Sequence, residues 1–238
     1  MTRPAIIAHR GASREAPENT IAAFARALEL AADGIELDVH ATADGAVVVH
    51  HDPVPKPSPR EDAIAWRPFS ALSRAEVRRL KVAESHSIPT LDEVLDLVGE
   101  RLTIYCELKG AGVVEHAAPK LAAHRGPTAM HSFDHRMVRR ARELAPRVPR
   151  GILVVSRLVD TAHALSSAGA TTLWPHREYV DAELVAEVGA AGGSVIAWTA
   201  NDPFEIKRLA QAGVHAICTD DVAGARAACA STFPPVRT

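Results

Sequence analysis

Two acidic residues stand two positions apart in Gly34-Ile-Glu-Leu-Asp-Val39. On an extended strand, residues i and i+2 share a face. Glu36 and Asp38 therefore point one way, and Ile35, Leu37 and Val39 point the other. The alternation recurs in Tyr105-Cys-Glu-Leu-Lys109, which puts Glu107 and Lys109 on one face. Neighbouring carboxylates repel, and burying them without partners is costly. Arginine or lysine must offset them, or a divalent cation must. A third carboxylate favours the cation, because Mg²⁺ and Ca²⁺ take oxygen ligands and keep positions open for water or phosphate. A salt-bridge network is the alternative for either pair alone.

Histidines extend the set. His9 closes an apolar run in Ala8-His-Arg-Gly11, and Gly11 permits a tight turn close to a ligand. His51 closes another in His50-His-Asp-Pro53. Two imidazoles flanking a phosphate can serve as general base and general acid, each worth ~10²–10⁴ in rate. The chain has twelve histidines, so most need another reading. His86, His116, His124, His135, His163 and His215 are read as structural or surface residues.

Positioning these groups requires a repeated scaffold. Short apolar runs at 5–8, 34–39, 102–107, 128–131, 151–155, 171–174, 194–198 and 216–218 alternate with amphipathic stretches. The stretches cover 20–32, 91–98, 134–144, 181–191 and 203–212. Asp134 and Asp181 suit N-caps, and Gly169 and Gly213 suit helix stops. Strand and helix alternating about eight times predicts a closed (β/α)₈ barrel of α/β class, whose strand C-termini gather in one pocket. An open doubly wound sheet competes on periodicity alone. The extra run 46–50 after Asp44-Gly45 predicts a hairpin extension of the second strand. Pro53, Pro55, Pro57, Pro59 and Pro68 then rule out a regular helix or central strand and predict a proline-rich loop over one end of the barrel. Residues 231–238 are expected to fray.

The 238 residues fit one large domain, 1–238, better than two. A net charge of -2 gives no global pull toward nucleic acid or an anionic membrane, so anion binding must be local. Cys106, Cys218 and Cys229 are too scattered for a disulfide framework, and the first two sit in apolar runs as buried thiols. The chain enters its first apolar run without a secretory signature, and no run of ~18 apolar residues occurs. No stable membrane insertion and a cytoplasmic location are expected.

Ala8-His-Arg-Gly-Ala-Ser13 followed by Pro17-Glu-Asn-Thr20 resembles the opening of the glycerophosphodiester phosphodiesterase family. Glu36-Leu-Asp38, Asp44-Gly45, His50-His-Asp-Pro53, Ile88-Pro-Thr-Leu91, Glu107-Leu-Lys109, Ser132-Phe133, Trp198-Thr-Ala-Asn201 and Thr219-Asp220 follow in the family's order. The resemblance spans nearly the whole chain. It implies the (β/α)₈ fold, a small phosphodiester substrate and a divalent cation, Mg²⁺ or Ca²⁺ with Mn²⁺ admissible. By the same resemblance Glu36, Asp38 and Glu107 match the metal ligands, and His9 and His51 the acid–base pair. Arg10 and Lys109 match groups that hold the phosphate, and Trp198 an aromatic of the substrate pocket. Ion pairs with the carboxylates are the other reading of Arg10 and Lys109, and both can hold. A core role is the other reading of Trp198, and the N-cap region of the helix at Pro203 that of Asn201.

Val54-Pro-Lys-Pro-Ser-Pro-Arg60 departs from the family's pattern beside His51, which leaves the alcohol headgroup open. The expected reaction is hydrolysis of glycerophosphodiesters to glycerol 3-phosphate and an alcohol. Alternatives are a lysophospholipase D or another lipid-directed phosphodiesterase on the same fold, and a non-catalytic phosphate-binding barrel. The loop after His51 offers only Ile64 and Trp66 as apolar anchors, which favours a soluble substrate.

Overall fold

A computed structural model describes residues 2–55, 66–83 and 85–232. Among these residues, all eight apolar runs are parallel strands. They are β1 (Ala5–His9), β2 (Gly34–Ala41), β6 (Thr103–Leu108), β7 (Thr128–Ser132), β8 (Arg150–Val154), β9 (Thr172–Pro175), β10 (Ser194–Ala197) and β11 (Ala216–Thr219). Each pairs with the next, and β1 pairs with both β2 and β11, so the sheet closes into a barrel. The open-sheet alternative is excluded by that last pairing. The hairpin expected after Asp44-Gly45 is present: β3 (Val47–Val49) runs antiparallel to β2. A small hairpin of β4 (Lys81–Val82) and β5 (His86–Ser87) stands apart from the barrel.

Helices follow the strands: α1 (Ile21–Glu29), α2 (Arg74–Val77), α3 (Leu91–Val98), α4 (Val113–Ala123), α5 (His135–Leu144), α6 (Thr161–Ala168), α7 (Ala182–Ala190), α8 (Pro203–Ala212) and α9 (Val222–Thr232). Asp134 and Asp181 cap α5 and α7 through their side chains, and Gly169 and Gly213 end α6 and α8 in left-handed backbone. Helices α2, α4 and α9 were not foreseen, and α6 was foreseen only through its stop at Gly169. Proline119 sits inside α4, while α6 and α9 are built largely from Ala and Ser, which draw no apolar stripe. Most of the proline-rich loop, with Ile64, and most of the expected frayed tail lie outside the described residues.

Strand alternation sorts the core into two layers. Ile35, Leu37, Val39, Ile104, Cys106 and Leu108 face outward and pack with the helices in the main apolar cluster. Ile7, Leu153, Trp174, Ile196, Ala216 and Cys218 form a second cluster on the inward faces. The inner cluster fills the barrel below the level at which the polar strand ends begin.

The side chain of Phe24 on α1 is fully buried in the outer layer. Phe24→Ala is expected to cost about 3–5 kcal/mol of stability, read as a lowered urea midpoint.

Candidate active site

Register brings the chemical residues to one level. In the parallel ladders His9 lies opposite Glu36, Asp38 opposite Glu107, and Glu107 opposite His131. His9, Glu107 and His131 stand at or next to the C-terminal ends of their strands, the end at which barrels of this kind carry their sites. Glu36 and Asp38 lie level with them in β2, which runs on into the hairpin with β3.

Asp38 is the most enclosed of the acids, at 1% exposure. Burial alone would raise its carboxyl, but Lys109 Nζ at 3.3 Å and Arg10 Nε at 3.3 Å lower it to about 2. Asn19 Nδ2 adds a hydrogen bond at 2.8 Å. Lys109 also reaches Glu107 Oε1 at 3.0 Å. That is insufficient for Glu107: burial first, then the charges of Asp38 and Glu36, push its carboxyl up to about 8. Three carboxylates share two cations, and the uncompensated charge falls on Glu107. The ion-pair reading of Arg10 and Lys109 therefore holds, and both side chains also line the cavity described below.

Glu36, Glu107 and His131 each offer a ligand atom, all within 4.8 Å of one another. His131 Nε2 lies 3.8 Å from Glu36 Oε1, and its buried Nδ1 has no hydrogen-bond partner among the described residues. Its ring stacks on Trp174 with centroids 4.1 Å apart and planes within 7°. Gly151 makes room for that stack, because a Cβ there would meet Trp174 Cδ1 at 2.6 Å. Mixed oxygen and nitrogen donors, one of them a carboxyl that burial and neighbouring like charges push up, fit a divalent cation. The observed trio shares Glu36 and Glu107 with the expected one. Asp38 is turned instead toward Arg10, Lys109 and Asn19, and His131 stands in the cluster.

Each expected imidazole is backed by a carboxylate. His9 Nδ1–H donates to Asp220 Oδ1 at 2.7 Å, and Asp220 also accepts from Ser13 Oγ–H at 3.1 Å and Asn201 Nδ2 at 2.6 Å. Burial opposes the charge on both partners. The hydrogen bond and mutual attraction nevertheless hold Asp220 at about 2, and Asp220 with Glu36 raises His9. His51 Nδ1–H donates to Asp52 Oδ1 at 2.7 Å. The His51 carbonyl in turn accepts from His40 Nε2–H at 3.1 Å, and His40 stacks on buried Phe69.

His9, Arg10, His51, Lys109, Glu36 and Glu107 line one cavity of about 180 Å³. Phe133, Trp174 and Trp198 form its aromatic wall. Trp198 is half-buried, donates its indole N–H to the Trp174 carbonyl at 2.9 Å, and meets Phe133 edge to face. A larger cavity of about 600 Å³ lies by Pro127, Pro146 and Pro149, at the opposite end of the strands, and carboxylates are missing from its described lining. At the turn after β1, Gly11 holds φ +83°, and a Cβ would meet the Ala23 backbone at 2.7 Å.

His131, Asp220 and Asn19 had been given no role. His131 ends a strand as His9 does, so the same strand-end rule pointed to it. Asp220 and Asn19 become visible only through the barrel's closure and the turn after β1. The N-cap reading of Asn201 is corrected: Asp202 caps α8, while Asn201 holds Asp220 by side chain and backbone.

Fold and site together define a (β/α)₈ barrel with an acidic and imidazole-rich pocket at its strand C-termini. The sequence pattern of the glycerophosphoryl diester phosphodiesterase family matches residues 9–223. The chain belongs to that family. A glycerophosphodiester phosphodiesterase from Caldanaerobacter subterraneus subsp. tengcongensis is 33% identical over 228 residues, spanning 91% of this chain and 93% of that one. Among solved structures, an Oleispira antarctica phosphodiesterase in complex with the product sn-glycerol-3-phosphate superposes with a TM-score of 0.85. It is 27% identical and covers 94% of this chain and 96% of its own. A glycerophosphodiester phosphodiesterase from Agrobacterium tumefaciens superposes with a TM-score of 0.76 at 26% identity, over 93% and 99% of the two chains.

The raised carboxyl of Glu107 makes the metal-free fold sensitive to pH. Its folded value of about 8 lies above the ordinary 4.5, so folding favours the protonated form. That stability is full below about 4.5 and is lost as pH rises through about 8. In EDTA, thermal unfolding from pH 5 to 9 should show a steeper fall in Tm for the wild type than for Glu107→Gln. A saturating divalent cation should remove much of the wild-type loss.

Proposed function

We propose that this chain hydrolyses glycerophosphodiesters to glycerol 3-phosphate and an alcohol, using a divalent cation and the two imidazoles His9 and His51. The observation that carries this reading is a single cavity lined by both imidazoles, each backed at Nδ1 by a carboxylate, together with Arg10 and Lys109. Family membership and the glycerol 3-phosphate held by the Oleispira relative support the substrate class.

Glu36, Asp38 and Glu107, with His131 beside them, would hold the cation. Mg²⁺, Ca²⁺ or Mn²⁺ held by these residues would supply Lewis-acid charge beside the phosphate and ease deprotonation of the attacking group. Arg10 and Lys109 set fixed positive charge against the phosphoryl oxygens. Asp220 and Asp52 accept from the Nδ1–H groups and so leave each Nε2 to exchange protons with the substrate. One imidazole takes the proton of the attacking group, either water or a neighbouring substrate hydroxyl whose cyclic phosphate water then opens, and the other protonates the departing alkoxide. Trp198 packs against the carbon skeleton of the substrate. In this reading the chain 1–238 works as one domain on a small molecule, in the cytoplasm as expected from the sequence. Among the described residues no helix is long and apolar enough to cross a membrane.

His9→Ala and His51→Ala should each lower kcat by about 10²–10⁴-fold on a soluble glycerophosphodiester while leaving the unfolding midpoint nearly unchanged. EDTA should abolish turnover, and Mg²⁺, Ca²⁺ or Mn²⁺ should restore it. Wild-type turnover by His9→Ala would overturn the assignment. Turnover of a lysophospholipid alone would select the lipid-directed alternative, and metal-dependent binding without hydrolysis the non-catalytic one.

A further inference from the structure

Three neighbouring strands, β2, β6 and β7, bring Glu36, Glu107 and His131 together on their inward faces, with ligand atoms all within 4.8 Å of one another. Two of the three are carboxylates that the family pattern already implies. The third lies outside it: the pattern at the end of β7 is Ser132-Phe133, and His131 stands one residue earlier.

The His131 ring is buried at 1% exposure, yet its polar atoms lack ordinary partners. Nδ1 is enclosed with no hydrogen bond among the described residues, and Nε2 stands 3.8 Å from Glu36 Oε1, beyond hydrogen-bond reach. Trp174 covers one face of the ring, and Trp174 is itself buried and meets Tyr105 edge to face. Packed in this way, the ring cannot swing toward another acceptor. Its Nε2 edge stays toward Glu36 and the 180 Å³ cavity, which His131 helps to line. A gap of 3.8 Å is too long for a hydrogen bond but suits an ion between the two atoms. Two ligands of one dication, each about 2.1 Å from it, stand roughly 3 to 4 Å apart.

Resting on the reading above that this pocket holds a divalent cation, we infer that His131 Nε2 binds it directly. This nitrogen makes the site prefer a first-row transition dication, such as Mn²⁺ or Co²⁺, over Mg²⁺ and Ca²⁺. Carboxylates alone suit the hard alkaline-earth ions, whereas imidazole adds affinity chiefly for transition metals. Asp38 is already paired with Arg10 and Lys109, so the imidazole stands where a third free carboxylate would otherwise be needed. Two carboxylates and a neutral imidazole also balance the charge of one dication.

The test measures metal binding without substrate in wild type, His131→Phe and His131→Gln. Pulsed EPR of bound Mn²⁺ should show coupling to an imidazole nitrogen in wild type and lose it in both variants. Calorimetric titration should show Co²⁺ bound more tightly than Mg²⁺ in wild type. In His131→Phe, which keeps a flat ring against Trp174, that ratio should fall about 10- to 100-fold while Mg²⁺ affinity stays nearly unchanged. His131→Gln keeps a polar group at the same place and should lower the ratio in the same direction. A wild-type Mn²⁺ spectrum without imidazole coupling overturns the inference, whether or not the variants fold. So does a coupling that persists in a folded variant, or an equal loss of Co²⁺ and Mg²⁺ binding. If wild type binds none of these ions, the premise of a cation site fails and this inference with it. The hydrolytic reading fails separately: a wild type that binds Mn²⁺ through the His131 nitrogen, yet turns over no glycerophosphodiester, upholds this inference and overturns that one.

Discussion

The packing of three acids against two bases at the ends of β2 and β6 is the constraint on which the rest of the site depends. Parallel register sets Asp38 directly opposite Glu107, and neighbouring strands lie only about 4.8 Å apart. In a low-dielectric interior two carboxylates at that spacing are difficult to ionise together. The chain resolves this unequally. Arg10, Lys109 and Asn19 converge on Asp38, which stays ionised, while Glu107 retains a proton in the absence of further positive charge. Arg10 reaches its place from a left-handed backbone conformation, φ 57°, in which its own N–H donates to Glu36. A turn that costs conformational energy is thus kept by the charges it serves. The same imbalance makes the pocket receptive to a divalent cation.

Barrel closure produces the second constraint. His9 ends β1 and Asp220 follows β11, so their partners are 211 positions apart in the chain yet adjacent once the first strand pairs with the last. No local segment can form this pair. His51 is arranged oppositely, with its carboxylate supplied by the next residue. What holds His51 is its backbone, through His40 and the Phe69 packing beneath the β2–β3 hairpin. One imidazole is therefore positioned by global topology and the other by a local hairpin, and disturbing the fold would affect His9 and Asp220 first.

The same division explains what was legible before any coordinates. Short apolar runs placed every barrel strand, and period-two alternation set Glu36 with Asp38 and Glu107 with Lys109, because those facts are local. Caps at Asp134 and Asp181 were legible for the same reason. Helices α4 and α9 lacked a clear apolar stripe or carried a proline, so propensity alone did not reveal them, and α6 showed only its stop at Gly169. Asp220, Asn19 and the true role of Asn201 depend on which strands and turns meet across the barrel, information held in register rather than in spacing. His131 was within reach of the strand-end rule, but its neighbourhood with Glu36 and Glu107 emerges only from the β6–β7 ladder.

Register and closure also separate catalysis from recognition. The phosphate-facing groups sit on strand ends held by the ladders, where a shift of one residue would reverse every side chain. A second cavity beside His9 and Arg10, of about 480 Å³, is lined from the turn after β1 and from the segments following β10 and β11. Those segments do not include the proline-rich stretch after His51, where the chain departs from the family's pattern. The departure therefore alters the surroundings of one imidazole without altering the described walls of the second cavity.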